Sequence, residues 1–297
     1  MATHLPLRGI VTMLAAVGFL SLMDAGLKQL SPFYPPVEIA ALRGGASWPL
    51  ALSWVFASGG ARTLFKVRWR LHLLRGALAV MMIPTFVYAL RVLPLTTAYV
   101  IFFIAPMMIT ALSALILNER VSRGRWLAVG AGFAGVLVAM RPTGEGMFSL
   151  AALSVLAAAT GYALAAITVR SLAQTDSKQA LVFWVLTSMT FGSGVLAIGS
   201  WVPVAREHWW IVGAIGVSGA LGQYAITEAF RIAEASVIAP LEYSALGWGL
   251  GCDLLLWGVL PDAWTWAGAA IIVASGVYLM RHERDQATAP VLPESAA

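Results

Sequence analysis

Asp24 and Lys28 stand four residues apart inside an apolar run, FLSLMDAGLKQL at 19–30. Acid first at i, i+4 is the favourable order for an ion pair on one helix face. At 1.5 Å per residue, Lys28 lies about 3 Å and Asp24 about 9 Å from a helix end at Leu30. The turn SPFYPP then returns Glu38 and Arg43 along the next helix at comparable depth. Four charges of balanced sign are therefore expected to meet, either as a structural cluster fastening two helices or as an outer gate and a handle for a zwitterion. A second group is aromatic: Tyr99, Phe102, Phe103 and Pro106 fall at i, i+3, i+4 and i+7, one helical face. Pro106 lacks an N–H, so a kink and a freed carbonyl are expected there. Pro240, followed by Glu242 and Tyr243, repeats the pattern in the second half of the chain, with Trp248 in the same stretch. Such carbonyls could accept hydrogen bonds from a substrate ammonium; the bland alternative for the rings is lipid-facing or core packing.

The elements that must carry these residues follow from composition. Of 297 residues, 60% are hydrophobic and only 11% charged, against about 25% charged in soluble domains; the mean hydropathy is +0.81. The chain is predicted to be an all-α polytopic membrane protein. Apolar runs long enough to cross about 30 Å of hydrocarbon occur at 8–30, 35–58, 69–91, 94–117, 123–140, 147–170, 179–200, 208–229, 235–258 and 263–281. The tail from 282 to 297 is predicted to be disordered. With the N-terminus cytoplasmic, Arg8, Arg62, Lys66, Arg68, Arg70, Arg120, Arg123, Arg125, Arg170, Lys178, Arg231, Arg281 and Arg284 fall inside. Only Lys28, Arg91, Arg141 and Arg206 fall outside, with Arg43 and Arg75 within spans, so both termini are expected in the cytoplasm. The net charge of +5 is a basic rim and needs no nucleic-acid partner. One cysteine, Cys252, and four scattered histidines leave no basis for a disulfide or metal centre. No phosphate loop or HExxH is present, so neither an enzyme nor ATP-driven transport is expected, and no cofactor.

Sliding the chain by 138 residues pairs Leu117 with Leu255, Val121 with Val259, Trp126 with Trp264 and Gly130 with Gly268. Five spans per half is odd, so the second copy enters the membrane inverted, the plan of secondary transporters. The halves are placed at 8–140 and 147–281. The same offset sets Tyr162 opposite Asp24, and Tyr88, after Pro84, adds a further hydroxylated ring. Glu242, Gly249 and Asp253 form a stripe in which Glu242 is either a proton carrier or a carboxyl that satisfies backbone opened by Pro240. Tyr224, Glu228 and Arg231 share a face near the inner end of 208–229: Tyr224 is a candidate cargo contact, Glu228 and Arg231 a candidate latch.

DAGLK at 24–28 with Glu38 and Arg43, ERVSRGRW at 119–126, AMRP at 139–142, APLEYSALGWG at 239–249 and the stretch from Trp257 to Arg284 resemble EamA-type members of the drug/metabolite transporter superfamily. Within it the chain looks most like YddG-like bacterial exporters of aromatic and other amino acids. The resemblance implies ten helices around a central cavity, lined mainly by the first, third and fourth helices of each half, in the bacterial inner membrane; the sequence leaves the oligomeric state open, with a monomer as the working expectation. It implies export of amino acids with broad specificity by alternating access, or else of another small metabolite or drug. Trp257 stands where Glu119 would repeat, so that acidic helix end is not duplicated.

Overall fold

The computed structural model describes residues 4–116, 121–140, 149–172, 174–232 and 239–288, and among these the side chains from 7 onward except those of 170, 227, 230, 231, 239, 240 and 282–288. Helices α1 (His4–Leu30), α2 (Pro36–Ala57) and α3 (Trp69–Leu90) are followed by α4 (Leu95–Phe102), α5 (Ala105–Ile116) and α6 (Arg123–Met140). The second half holds α7 (Leu150–Leu172), α8 (Lys178–Thr187) continued by a π turn (Ser188–Gly192) into α9 (Ser193–Ala197), and α10 (Trp209–Ile232). A 3-10 turn (Ala239–Ser244), α11 (Ala245–Cys252), a π turn (Asp253–Trp257) and α12 (Ala263–Thr288) complete it. No strand occurs among the described residues.

Helical segments occupy all ten stretches read from the sequence, and seven of the described helices are long and apolar enough to cross a membrane. Large apolar side chains face outward, as on Leu127, Ile198 and Leu255; in a bilayer this surface is already in its own solvent. The break between α4 and α5 falls at Phe103 and Ile104, one turn before Pro106, where the missing N–H and ring clash expel the ladder. One expectation is corrected at the C-terminus: α12 continues helically through Thr288 rather than ending at 281, and 289–297 lie outside the described residues.

The principal packing pairs are α1 with α10, α3 with α7, and α6 with α12; α2 packs on the α8–α9 segment and α4 on α11. Backbones touch where residues are small, since association in lipid relies on close packing. A Cβ on Gly268 would lie 2.6 Å from the carbonyl oxygen of Gly135, and one on Gly216 would lie 2.8 Å from that of Ala46.

Hydrogen bonds sort the connections to two ends of the bundle. At the distal end Tyr34 Oη meets His208 Nδ1 at 2.7 Å and accepts from the Ala205 N–H at 3.0 Å. There Arg91 donates to the carbonyls of Ser31 and Tyr34. At the proximal end Asp176, between α7 and α8, binds the Arg68 N–H and His72 Nε2, both at 3.0 Å, while Trp184 Nε1 donates to the Leu64 carbonyl at 2.7 Å.

Candidate functional site

A two-lobed cavity lies between these ends. Its walls are single helical stripes: Val17, Leu20, Ser21 and Asp24 on α1, Arg43 and Ser47 on α2, Arg75, Ala79, Met82, Ile83 and Phe86 on α3, and Tyr162, Ala165, Ala166 and Val169 on α7. These are the i, i+3, i+4 and i+7 offsets of one helix face. One lobe, about 370 Å³, adds Tyr99, Phe102, Phe103 and Glu242; the other, about 510 Å³, adds Arg75 and the inner face of α8. Leu20, Met23, Arg43, Met82, Ile83, Tyr162 and Gln223 line both and join them. Each lobe is within the size range of small-molecule sites.

The charged groups divide differently from the local pairing read in the sequence. Lys28 does not pair with Asp24: its Nζ lies 3.1 Å from Asp253 Oδ1 and 4.4 Å from the Trp257 ring centroid. Asp24 instead accepts from Tyr99 Oη at 2.9 Å and feels the charge of Arg43. Glu38 is wholly buried elsewhere, accepting from the Val202 N–H at 2.8 Å and so fixing the distal connection. The four charges thus serve three sites, because tertiary partners outcompete the i+4 neighbour.

Asp253 likewise leaves its expected stripe with Glu242. The segment from 239 to 257 changes from 3-10 to α to π winding, which rotates the two carboxylates onto different faces. Glu242 reaches the cavity wall, whereas Asp253 accepts from the N–H groups of Leu95 and Thr96 at 2.9 and 2.8 Å and from the Thr96 hydroxyl at 2.9 Å. Pro94, at the N-cap of α4, offers no side-chain acceptor, so a carboxylate from another segment satisfies the orphaned donors of that helix start.

Among the ring candidates, Phe102 packs between Phe86 and Tyr162 in inclined contacts, with centroids at 5.6 and 5.5 Å and planes at 64° and 57°, and all three line the cavity. Phe103 lines it too and packs on Tyr243 at 4.8 Å. Tyr243 itself is off the cavity wall, its hydroxyl pressed against Gly276. Tyr88 and Pro106 are half-buried and also off the wall. Tyr224 is corrected: it is 68% exposed on the outer surface of α10, and the cavity-facing residues of that helix are Gly219, Ala220, Gln223 and Ile226. Trp248 is corrected likewise, lying on the outside against Gly18. Glu228 is half-buried, and the side chains of Arg231 and Pro240, and all of Glu119, lie outside the described residues. Sequence reasoning missed Arg75, Gln223, Ser21 and Ser47; the stripe from Arg75 through Ala79, Met82 and Phe86 was the available signal.

Residues 7–141 match the model of the EamA-like transporter family. Similar proteins include a riboflavin transporter of Vibrio cholerae, 29% identical over 94% of this chain and 95% of the relative. They also include the pseudopaline exporter CntI of Pseudomonas aeruginosa, 28% identical over 93% and 96%, and an S-adenosylmethionine uptake transporter of Rickettsia felis, 28% identical over 94% of each. A crystallised protein at 17% identity superposes with a TM-score of 0.64 over 96% of this chain and 99% of its own, which bears on the fold alone. These relatives are transporters, not enzymes. The family match over residues 7–141, joined to relatives aligned over nearly the whole length, makes the chain similar to EamA-like transporters.

Proposed function

We propose that the protein is a secondary transporter in which two inverted five-helix halves, 8–140 and 147–281, alternately open one shared cavity to the two sides of the inner membrane. The observation that carries this reading is the cavity itself, walled by α1 to α4 from one half and by α7, α8, α10 and the 239–252 segment from the other. The packing pairs support the inversion. Counting α4–α5 as the fourth segment and α8–α9 as the seventh, a shift of five turns the first–eighth contact into the sixth–third contact. It maps second–seventh, fourth–ninth and fifth–tenth onto themselves, and all five are observed pairs. Both termini then lie in the cytoplasm, with the proximal end facing inward, as the basic connections favour.

The cargo is a small organic metabolite. Amino-acid export gives way to this broader class because the near-full-length relatives are named for riboflavin, pseudopaline and S-adenosylmethionine. Their names include both export and uptake, so direction follows the cargo gradient rather than the family. Purified protein in proteoliposomes is expected to show saturable counterflow with a metabolite panel; linear, non-saturating flux would assign a pore instead.

A further inference from the structure

The two lobes differ in charge. Arg43 lines both; the larger adds Arg75 and carries no carboxylate on its wall, whereas the smaller adds Asp24 and Glu242. Among the described residues Arg75 has no carboxylate within ion-pair distance, whereas Arg43 faces the charge of Asp24. Arg75 donates to the Leu181 carbonyl at 2.5 Å, which occupies one of five guanidinium donors. A guanidinium at membrane depth needs an anionic partner, and its planar fork matches a carboxylate with two parallel bonds. Tyr162, on the wall of both lobes, together with Phe102 and Phe86 places rings where the lobes join.

Resting on the transport reading above, we propose that the cargo is an amphoteric aromatic molecule with its charges at opposite ends of a ring. Its carboxylate sits in the lobe of Arg75, its ring lies against Tyr162 and Phe102, and its cationic group sits in the lobe of Asp24 and Glu242. A molecule bearing only one charge leaves the opposite lobe with an unmet charged wall, which selects against it more strongly than any loss of apolar contact.

Three probes share one ring and differ only in charge: 4-(aminomethyl)phenylacetate, 4-methylphenylacetate and 4-methylbenzylamine. Competition against counterflow in proteoliposomes is expected to rank the amphoteric probe at least about tenfold above either singly charged one. Arg75→Gln is expected to erase its advantage over 4-methylbenzylamine, and Arg75→Lys, which keeps the charge, to restore part of it. Glu242→Gln is expected to erase the advantage over 4-methylphenylacetate instead. Equal competition by all three probes, or an equal loss for all three in both Arg75 variants, would overturn the cargo assignment. Saturable counterflow of other panel metabolites with no response to any of the three overturns it while leaving transport intact. Absence of saturable flux for every compound removes the transport reading as well.

Discussion

Asp253 is the residue whose loss should be felt most. Its carboxylate is fully buried, binds Lys28, and caps the first turn of α4 through three further hydrogen bonds. Removing one member of a buried ion pair costs about 3–5 kcal/mol, chiefly because the partner charge is stranded. Lys28 keeps only the Trp257 face, worth about 0.5–2 kcal/mol. At about 2 °C per kcal/mol for a long chain, Asp253→Ala should lower the unfolding midpoint of detergent-purified protein by about 6–10 °C. Asp253→Asn keeps a capping oxygen but not the charge, so the Ala and Asn variants should differ by the cap alone, about 0.5–2 kcal/mol. Lys28→Met combined with Asp253→Asn removes both charges, and the double-mutant cycle should return a coupling of about 1–3 kcal/mol. Additivity to within about 0.5 kcal/mol would refute the pair as a determinant of stability.

At the proximal end, burial pushes the Asp176 carboxyl up, but hydrogen bonds from Thr175, the Arg68 N–H and His72, with the charge of His72, together hold it below its ordinary 3.8. A lowered carboxyl stabilises the fold above its unfolded value and loses that contribution as pH falls through the folded one, so acid melts should show a step that Asp176→Asn abolishes. Gly268→Leu drives a side chain into the Gly135 carbonyl and should cost about 1–3 kcal/mol or more in a melt, whereas Gly130→Ala meets nothing within 4 Å and should stabilise by up to about 1 kcal/mol. Tyr162→Ala removes a ring shared by both lobes and should cut counterflow by about tenfold or more, while Tyr224→Ala, on the outer surface, should leave it unchanged.

Apolar length alone made the helical segments legible, because lipid forces backbone groups to pair within each segment. The interior was less legible, for reasons visible in single residues. Lys28 had a partner at i−4 in the sequence, yet its partner in the fold is 225 positions away. The i+4 rule is worth only a few tenths of a kcal/mol and cannot compete with a buried carboxylate. Asp253 shared a helical stripe with Glu242 only under uniform α winding, which the 3-10 and π turns abolish. Tyr162 was found through the repeat offset, which is insensitive to winding. Arg75 falls within a span by sequence but has no role assigned there, because charge counting says nothing of facing; the stripe from Arg75 to Phe86 faces the cavity.

The two ends carry related ties, and their relation yields the last prediction. Tyr34, between the first and second segments, binds His208 at the start of the eighth; Asp176, between the sixth and seventh, binds His72 at the start of the third. Under the proposed five-segment shift these are the same connection seen from opposite faces. Alternating access then requires that one tie hold while the other opens, so weakening each should push the protein in opposite directions. In a Cys252→Ser background, a reporter thiol at the junction of the lobes, Tyr162→Cys, can be labelled with a membrane-impermeant reagent from either side of the bilayer. Tyr34→Phe deletes nothing but the hydroxyl that His208 and the Ala205 N–H share, and should raise labelling from the distal side. Asp176→Asn should raise it from the proximal side. If both substitutions raise labelling from the same face, the ties are not paired gates and the exchange of halves loses its mechanical basis.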